Sequence, residues 1–169
     1  MIKNWKHVVT AALCTLVFEQ ARAQVPQQSK CKEIEAATFV DVYRGGNTTS
    51  GTVTEGNILS GKTLTIFTSA AFPTPVSSMV SYSGDLTITT NQGQLKVLNV
   101  YLYDSGTGLF TVLGRIDSNS STGRFAGATG VLYINGKTVG TAIPFTYPAS
   151  ISGEICLANQ GVDERDDHD

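Results

Sequence analysis

The stretch of sequence that decides the fold class is Ser121-Thr122-Gly123-Arg124-Phe125-Ala126-Gly127-Ala128-Thr129-Gly130, which runs directly into Val131-Leu132-Tyr133-Ile134. Three glycines surround one phenylalanine, and a β-branched and aromatic run follows them. A glycine-rich loop that cradles phosphate opens into a helix, whereas this one opens into residues that favour a strand. The stretch therefore predicts a tight glycine corner that leads into a β-strand.

The rest of the chain between Gln24 and Ala158 also has the pattern of an all-β protein. Apolar residues come in short runs that Gly, Asn, Ser or Asp interrupt, and no stretch has the period of an amphipathic helix. The candidate strands are 37–44, 51–56, 63–69, 81–89, 94–103, 109–117, 130–135, 137–141 and 150–157. We predict a single antiparallel β-barrel of about eight strands, with a β-sandwich as the alternative.

Turn residues separate several of these runs. Gly45-Gly46-Asn47, Asn91-Gln92-Gly93 and Asp104-Ser105-Gly106 are of the type that favours turns. Asn135-Gly136 predicts a two-residue hairpin, because both residues tolerate positive φ.

Residues 1–23 have the three parts of an export signal. These are a basic start with Lys3 and Lys6, an apolar core from Val8 to Phe18, and the A-x-A cleavage site Ala21-Arg22-Ala23. The apolar core is shorter than the roughly 20 residues that a membrane-spanning helix needs. Leu13 precedes Cys14 where a lipoprotein signal has a small residue. We therefore expect cleavage near Ala23 and a secreted or periplasmic protein without a membrane anchor.

The mature chain divides by composition into three parts. An N-terminal segment, 24–36, contains Cys31; the barrel domain spans 37–158; and 159–169 forms an acidic tail that we expect to be disordered. From residue 24 to residue 158 bases and acids are equal in number, eight of each. A neutral body without a basic stripe argues against nucleic acid as a partner.

The cysteines and histidines limit the chemistry of the mature chain. Removing the signal leaves Cys31 and Cys156, and an even pair in an exported chain predicts a disulfide; a redox or nucleophilic cysteine is the alternative. His7 lies in the signal and His168 in the tail. The fold therefore has no histidine for a Ser-His-Asp or Cys-His arrangement, and we predict no metal site.

Carboxylates remain as candidates for proton transfer. Asp41 shares a strand face with Phe39 and Tyr43, so an inward face would bury Asp41 and raise its pKa toward a useful acid or base. In the alternative, this face is outward and Asp41 pairs with Arg115 or Arg124, or accepts a turn N–H. Glu154, on a face with Ser152 and Cys156, is either an inward acid or a rim residue.

Aromatic and basic side chains complete the candidate site. Tyr101 and Tyr103 share a face and are either phenol donors over a substrate or packed rings. Arg115 either stabilises developing negative charge or closes an ion pair with a nearby aspartate. We take Asp41, Glu154 and Tyr101 as candidate catalytic residues, and Tyr43, Tyr103, Arg115 and Phe125 as candidate substrate-binding residues.

Two stretches resemble a known family. Asp41-Val42-Tyr43-Arg44-Gly45-Gly46-Asn47-Thr48-Thr49 resembles the opening of dirigent proteins, and the glycine corner, with Leu113-Gly114-Arg115-Ile116 ahead of it, resembles a corner shared by dirigent proteins and allene oxide cyclases. The pair Cys31 and Cys156 resembles the terminal disulfide of dirigent proteins. The similarity covers residues 39–158. Val40 stands where dirigent proteins have His, and Ala126 and Thr129 stand where their corner has Arg, so the corner is nearer the cyclase form.

The resemblance implies an eight-stranded antiparallel barrel that often forms homo-oligomers. Its apolar lumen would bind a reactive small molecule and direct its cyclisation, isomerisation or stereoselective coupling, without a metal or organic cofactor. The alternative is a secreted barrel that binds a ligand or partner without catalysis. The sequons at Asn47 and Asn119 would be glycosylated in a eukaryotic host.

Overall fold

A computed structural model describes residues 30–158 of the chain. The predicted export signal and the acidic tail lie outside these residues. The described chain forms strands β1 (Lys30–Tyr43), β2 (Thr48–Thr54), β3 (Gly61–Phe67), β4 (Phe72–Pro73), β5 (Met79–Thr90), β6 (Gly93–Asp104), β7 (Leu109–Ile116), β8 (Thr129–Lys137) and β9 (Phe145–Leu157). Two short 3-10 turns, Asn57–Leu59 and Gly123–Phe125, lie between strands. No helical segment in this part of the chain is long and apolar enough to cross a membrane.

The strands close into a barrel. They pair antiparallel in the order β3-β2-β1-β9-β8-β7-β6-β5, with the two-residue strand β4 on the edge of β5. The ring closes between β3 and β5, where Thr65 pairs with Leu86. The prediction of an eight-stranded antiparallel barrel is therefore confirmed over the sandwich alternative, since closure leaves the eight strands without a long free edge.

Alternation along the strands produces the core. On β6, Leu95, Val97 and Tyr101 are buried inside the barrel while Leu98 and Val100 face outward. The same period of two applies to β5, β7 and β8, whose buried side chains meet those of β6 in one hydrophobic cluster. The barrel interior is therefore a packed core along most of its length.

The glycine corner leads into β8, as predicted, and lies at one end of the barrel. Its 3-10 turn carries Phe125, which is fully buried. Gly123 has φ of +59°, and a Cβ there would lie 2.3 Å from the carbonyl oxygen of Gln92. Only glycine can let the two backbones approach so closely at that φ. Near the same end, the predicted disulfide joins Cys31 of β1 to Cys156 of β9. We call this the disulfide end.

Two local features differ from the sequence pattern. The predicted hairpin at Asn135-Gly136 is wrong, because both residues continue β8 and pair with β7 and β9. A Cβ at Gly136 would lie 2.6 Å from the Phe110 ring, so this glycine serves close packing and not a turn. Strand β1 begins at Lys30, so the described part of the segment 24–36 is paired with β9.

Candidate functional site

The end of the barrel opposite the disulfide gathers most of the aromatic rings. On the β1–β9 ladder, Tyr43 pairs with Phe145 at one end and Cys31 pairs with Cys156 at the other. Around the first end, neighbouring strand termini carry Phe67, Tyr82, Tyr101, Tyr103, Phe110 and Tyr147. We call this the aromatic end; it holds five of the six tyrosines in the chain.

The aromatic end contains an inner chamber with a volume of about 30 Å³. Its lining includes Asp41, Thr65, Phe67, Tyr101 and Ile134. Such a space holds a few waters, whereas pockets for drug-sized ligands measure about 300–1,000 Å³. A substrate can therefore enter the chamber only if side chains in its wall move.

An outer vestibule of about 190 Å³ lies beside the chamber. Tyr103, Thr138 and Phe145 line it, together with Tyr82 and Tyr147. Tyr82 and Tyr147 also line the inner chamber. These two rings therefore form the partition between the vestibule and the chamber.

Asp41 is the buried acid of the chamber. It lies on the inward face of β1 and is only 1% exposed. Thr49 of β2 donates a hydrogen bond to Oδ2 at 2.5 Å, Thr65 of β3 donates to the same oxygen at 3.3 Å, and Thr63 donates to Oδ1. The period of two along β3 places Thr63 and Thr65 on one face, so both hydroxyls reach the same carboxyl.

Glycine at position 51 makes room for this carboxyl. Gly51 pairs with Asp41 across the β1–β2 ladder. A Cβ there would lie 1.8 Å from the carbonyl oxygen of Val40 and 2.8 Å from Oδ1 of Asp41. Any side chain at this position would displace the acid or the strand.

Burial raises the pKa of the Asp41 carboxyl above its ordinary value, and the hydrogen bonds from Thr49, Thr63 and Thr65 offset part of this effect. The geometry explains both contributions. A carboxyl removed from water resists ionisation, while the three hydroxyls stabilise the charged form once it appears. Asp41 is therefore suited to exchange a proton with a bound molecule.

Tyr101 continues the polar chain from Asp41. Its hydroxyl accepts a hydrogen bond from Nδ2 of Asn99 at 3.1 Å, and Thr65, which donates to Asp41, lines the chamber beside it. The ring stacks on Tyr82 with centroids 4.9 Å apart. Burial is the main cause that raises the pKa of Tyr101 to about 12, so this phenol stays protonated at neutral pH.

Two further tyrosines of the site, Tyr82 and Tyr147, are also harder to ionise than a free tyrosine. Burial raises the pKa of Tyr82 and of Tyr147, and the repulsion that neighbouring tyrosinates would exert adds to both shifts. Asp41, Tyr82, Tyr101 and Tyr147 thus all resist a negative charge.

The structure brings together only part of the predicted site. Asp41, Tyr101 and Tyr103 line the two cavities, and Tyr43 stacks on Phe145 with centroids 6.2 Å apart. Three predicted residues lie elsewhere: Glu154 and Arg115 are exposed on the outer face, and Phe125 fills the disulfide end. On β9 the inner face belongs to Ile151 and Ile155, which turns Glu154 outward.

Sequence reasoning missed the threonines that bind Asp41. Thr63 and Thr65 are buried, while Leu64 and Ile66 between and after them are 44% and 41% exposed. The usual rule of apolar residues inside assigns this strand the opposite orientation. The one signal was the repeated threonine in Thr63-Leu64-Thr65, a polar pair on one strand face. Tyr82, Tyr147 and Asn99 were missed as well, and no local motif marks them.

One group of side chains in the described range has metal-ligand atoms within 4.8 Å of one another, Cys31, Glu154 and Cys156. The two cysteines are joined in the disulfide, so neither sulfur is a thiolate that could ligate a metal. The three residues are therefore a structural disulfide with the exposed side chain of Glu154 beside it.

The geometry of the aromatic end carries the case for function. Comparison of the chain with known protein families, with curated proteins and with solved structures found no match in any of the three.

Proposed function

We propose that the aromatic end binds an apolar small molecule and directs its cyclisation, isomerisation or stereoselective coupling without a cofactor. The observation that carries this proposal is the Asp41 carboxyl, buried against an aromatic cavity and held by three threonine hydroxyls. Within residues 30–158 no salt bridge to Asp41 is formed; a buried acid without a cationic partner costs stability, and such groups are often found where a protein does chemistry.

The mechanism begins with folding of a flexible substrate against the aromatic rings. Confinement in one conformation lowers the entropic cost of ring closure. The Asp41 carboxyl then donates its proton to a basic oxygen or a double bond of the substrate. Thr49, Thr63 and Thr65 donate hydrogen bonds to the carboxylate that this step leaves. After the new bond forms, the substrate returns a proton to Asp41, so the net reaction is an isomerisation.

Tyr101 has a separate part in this mechanism. Its hydroxyl is neutral, and Tyr101 lines the chamber together with Thr65 and Asp41. It orients the substrate oxygen toward the acid. Entry requires Tyr82 and Tyr147 to move, and ring movements of this kind commonly accompany binding.

Other features support secretion and self-association. The export signal predicted for residues 1–23 and the disulfide support a secreted or periplasmic location. Val100, Leu113 and Tyr133 pair in one row on the outer face of β6, β7 and β8, and Val100 is 58% exposed. An apolar row of this kind supports homo-oligomer formation. The resemblance to dirigent proteins and allene oxide cyclases supports ligand binding inside the barrel and homo-oligomer formation.

A second candidate is a barrel that binds its ligand or partner without catalysis. Two observations favour this candidate. The inner chamber is too small for a substrate unless its walls move, and both oxygens of Asp41 already accept hydrogen bonds from threonines. In that case Asp41 would only shape the chamber, and removing its acidity would leave every product unchanged.

Acid-promoted ring closure distinguishes the two candidates. Citronellal, an uncharged acyclic aldehyde that closes to isopulegol when its carbonyl is protonated, is the first probe of a panel of acyclic aldehydes and epoxides. We expect the protein to accelerate closure and to enrich one stereoisomer, measured by chiral gas chromatography. Asp41→Asn should lose both effects, while Asp85→Asn, an exposed acid on the outer face of β5, should keep them. Product ratios equal to those in buffer across the panel would favour the non-catalytic candidate.

A further inference from the structure

The lining of the outer vestibule indicates which class of ligand the aromatic end binds. We infer that it is an entry subsite for uncharged, ring-bearing molecules with a hydrogen-bond-accepting oxygen, and that it rejects carboxylates and phosphates. This inference rests on the proposed binding site at the aromatic end, but it does not require catalysis.

The first argument is the absence of positive charge. Among the described residues, neither the vestibule nor the inner chamber is lined by Lys, Arg or His. The one acidic group on the path is Asp41, at its inner end. An anion that entered would lose part of its hydration without gaining an ion pair, and burying an unpaired charge is unfavourable.

The pKa values of the tyrosines that line the vestibule also indicate that a negative charge is unfavourable there. Tyr82 and Tyr147 line the vestibule, and burial raises the pKa of both, so each of these groups disfavours its own anion. A bound carboxylate would meet the same surroundings. The vestibule therefore discriminates by charge before a ligand reaches the acid.

The second argument is an unused hydroxyl. The Oγ1 atom of Thr138 is buried and lacks a hydrogen-bond partner within residues 30–158, and Thr138 lines the vestibule. Buried polar atoms in native proteins are nearly always paired, so an orphan atom in a cavity wall marks a place for a ligand or a water. A hydroxyl there can donate to a ketone, ether or epoxide oxygen.

The third argument is size and shape. The vestibule, at about 190 Å³, accommodates a single substituted ring, and its walls are Tyr82, Tyr103, Phe145 and Tyr147. Aromatic rings pack favourably against one another in stacked or edge-to-face arrangements. A ring in the vestibule would rest against the partition formed by Tyr82 and Tyr147, with Asp41 behind it.

Three probes with one ring and different charges test the inference. Acetophenone is neutral, benzoate is an anion and benzylammonium is a cation at pH 7; each is titrated into the folded protein while chemical shifts of the aromatic-end residues are followed by NMR. We expect acetophenone to bind at least about tenfold more tightly than benzoate. Thr138→Val, which removes the hydroxyl and keeps the shape, should weaken acetophenone binding about fivefold. Thr52→Val, on the outward face of β2, is the matched control and should leave binding unchanged.

Several results would overturn the inference: benzoate binding as tightly as acetophenone, benzylammonium binding more tightly than either, acetophenone binding unchanged by Thr138→Val, or no probe binding. If the hydroxyl of Thr138 binds only a water molecule, Thr138→Val would leave acetophenone binding unchanged. None of these outcomes depends on ring closure by Asp41, so failure here and failure of the citronellal assay can be told apart.

Discussion

The two ends of the barrel put similar residues to different uses. At the disulfide end, Phe125 is buried completely beneath the glycine corner and belongs to the hydrophobic core. At the aromatic end, rings of the same size leave an inner chamber and a vestibule, and between them they hold a carboxyl and several hydroxyls. The glycine corner that marks the fold and the residues of the proposed site therefore lie at opposite ends of the barrel.

The largest expected effect is on the disulfide end. Phe125→Ala should lower the free energy of unfolding by about 3–5 kcal/mol, because it removes a fully buried ring and leaves a cavity. Denaturant unfolding followed by circular dichroism measures this. A loss below about 1 kcal/mol would show that the corner is not a packed part of the core.

The disulfide should have the next largest effect. Replacing both cysteines, Cys31→Ser with Cys156→Ser, should cost about 2–4 kcal/mol in the same unfolding assay. The double variant should keep ligand binding at the aromatic end, since the two regions lie at opposite ends of the β1–β9 ladder. If the double variant folds completely but no longer binds ligand, the two ends are not independent.

The pH dependence of stability tests the aromatic end through Asp41. Because its pKa is raised in the folded state, the folded protein holds this proton more tightly than the unfolded chain does. The contribution of Asp41 to stability is complete below the unfolded pKa, near 4, and is lost as pH rises through the folded pKa. The free energy of unfolding of the native protein should therefore fall relative to Asp41→Asn over this window, by about 1.4 kcal/mol for each unit of pKa difference.

The groups that face Asp41 do not obscure this titration. They are Thr49, Thr63 and Thr65, together with the phenols of Tyr82, Tyr101 and Tyr147, which line the same chamber. The tyrosines stay neutral over the window because their pKa values are also raised. A difference between the two proteins that stays constant with pH would contradict the burial of an ionisable acid.

The smallest expected effect on stability belongs to the vestibule. Tyr103→Leu should change the free energy of unfolding by less than about 1 kcal/mol, because its side chain is only half-buried and faces a cavity. The same substitution should weaken acetophenone binding, as NMR titration would show. A large loss of stability with unchanged acetophenone binding would show that Tyr103 is part of a packed core and does not line a binding site.

Much of the fold was predictable, because turn residues and short apolar runs describe a barrel locally. The glycine corner and the pair Cys31 and Cys156 were read correctly from composition and spacing. Asn135-Gly136 was not, since a glycine that serves close packing against Phe110 looks the same in sequence as a glycine that serves a turn. Local pattern does not distinguish the two uses.

The site was harder to predict, because it depends on strand orientation and closure. The sequence identifies Asp41 as a candidate acid, but it does not show whether the face of β1 that carries Asp41 points into the barrel. Its partners Thr63 and Thr65 lie on a strand whose polar face is inside, which reverses the usual burial rule. Tyr82 and Tyr147 are more than 60 residues apart in the chain and meet only because the barrel closes.

The central claim is that the aromatic end holds a buried acid, and its most direct measurement is the titration of the Asp41 carboxyl. The ¹³C resonance of this carboxyl, assigned by its loss in Asp41→Asn, can be followed between pH 2 and pH 9. The structure predicts a midpoint above the ordinary value of 3.8, with burial as its cause. A midpoint at or below that value would show that the carboxyl is solvated or strongly paired, and would contradict the proposed acid.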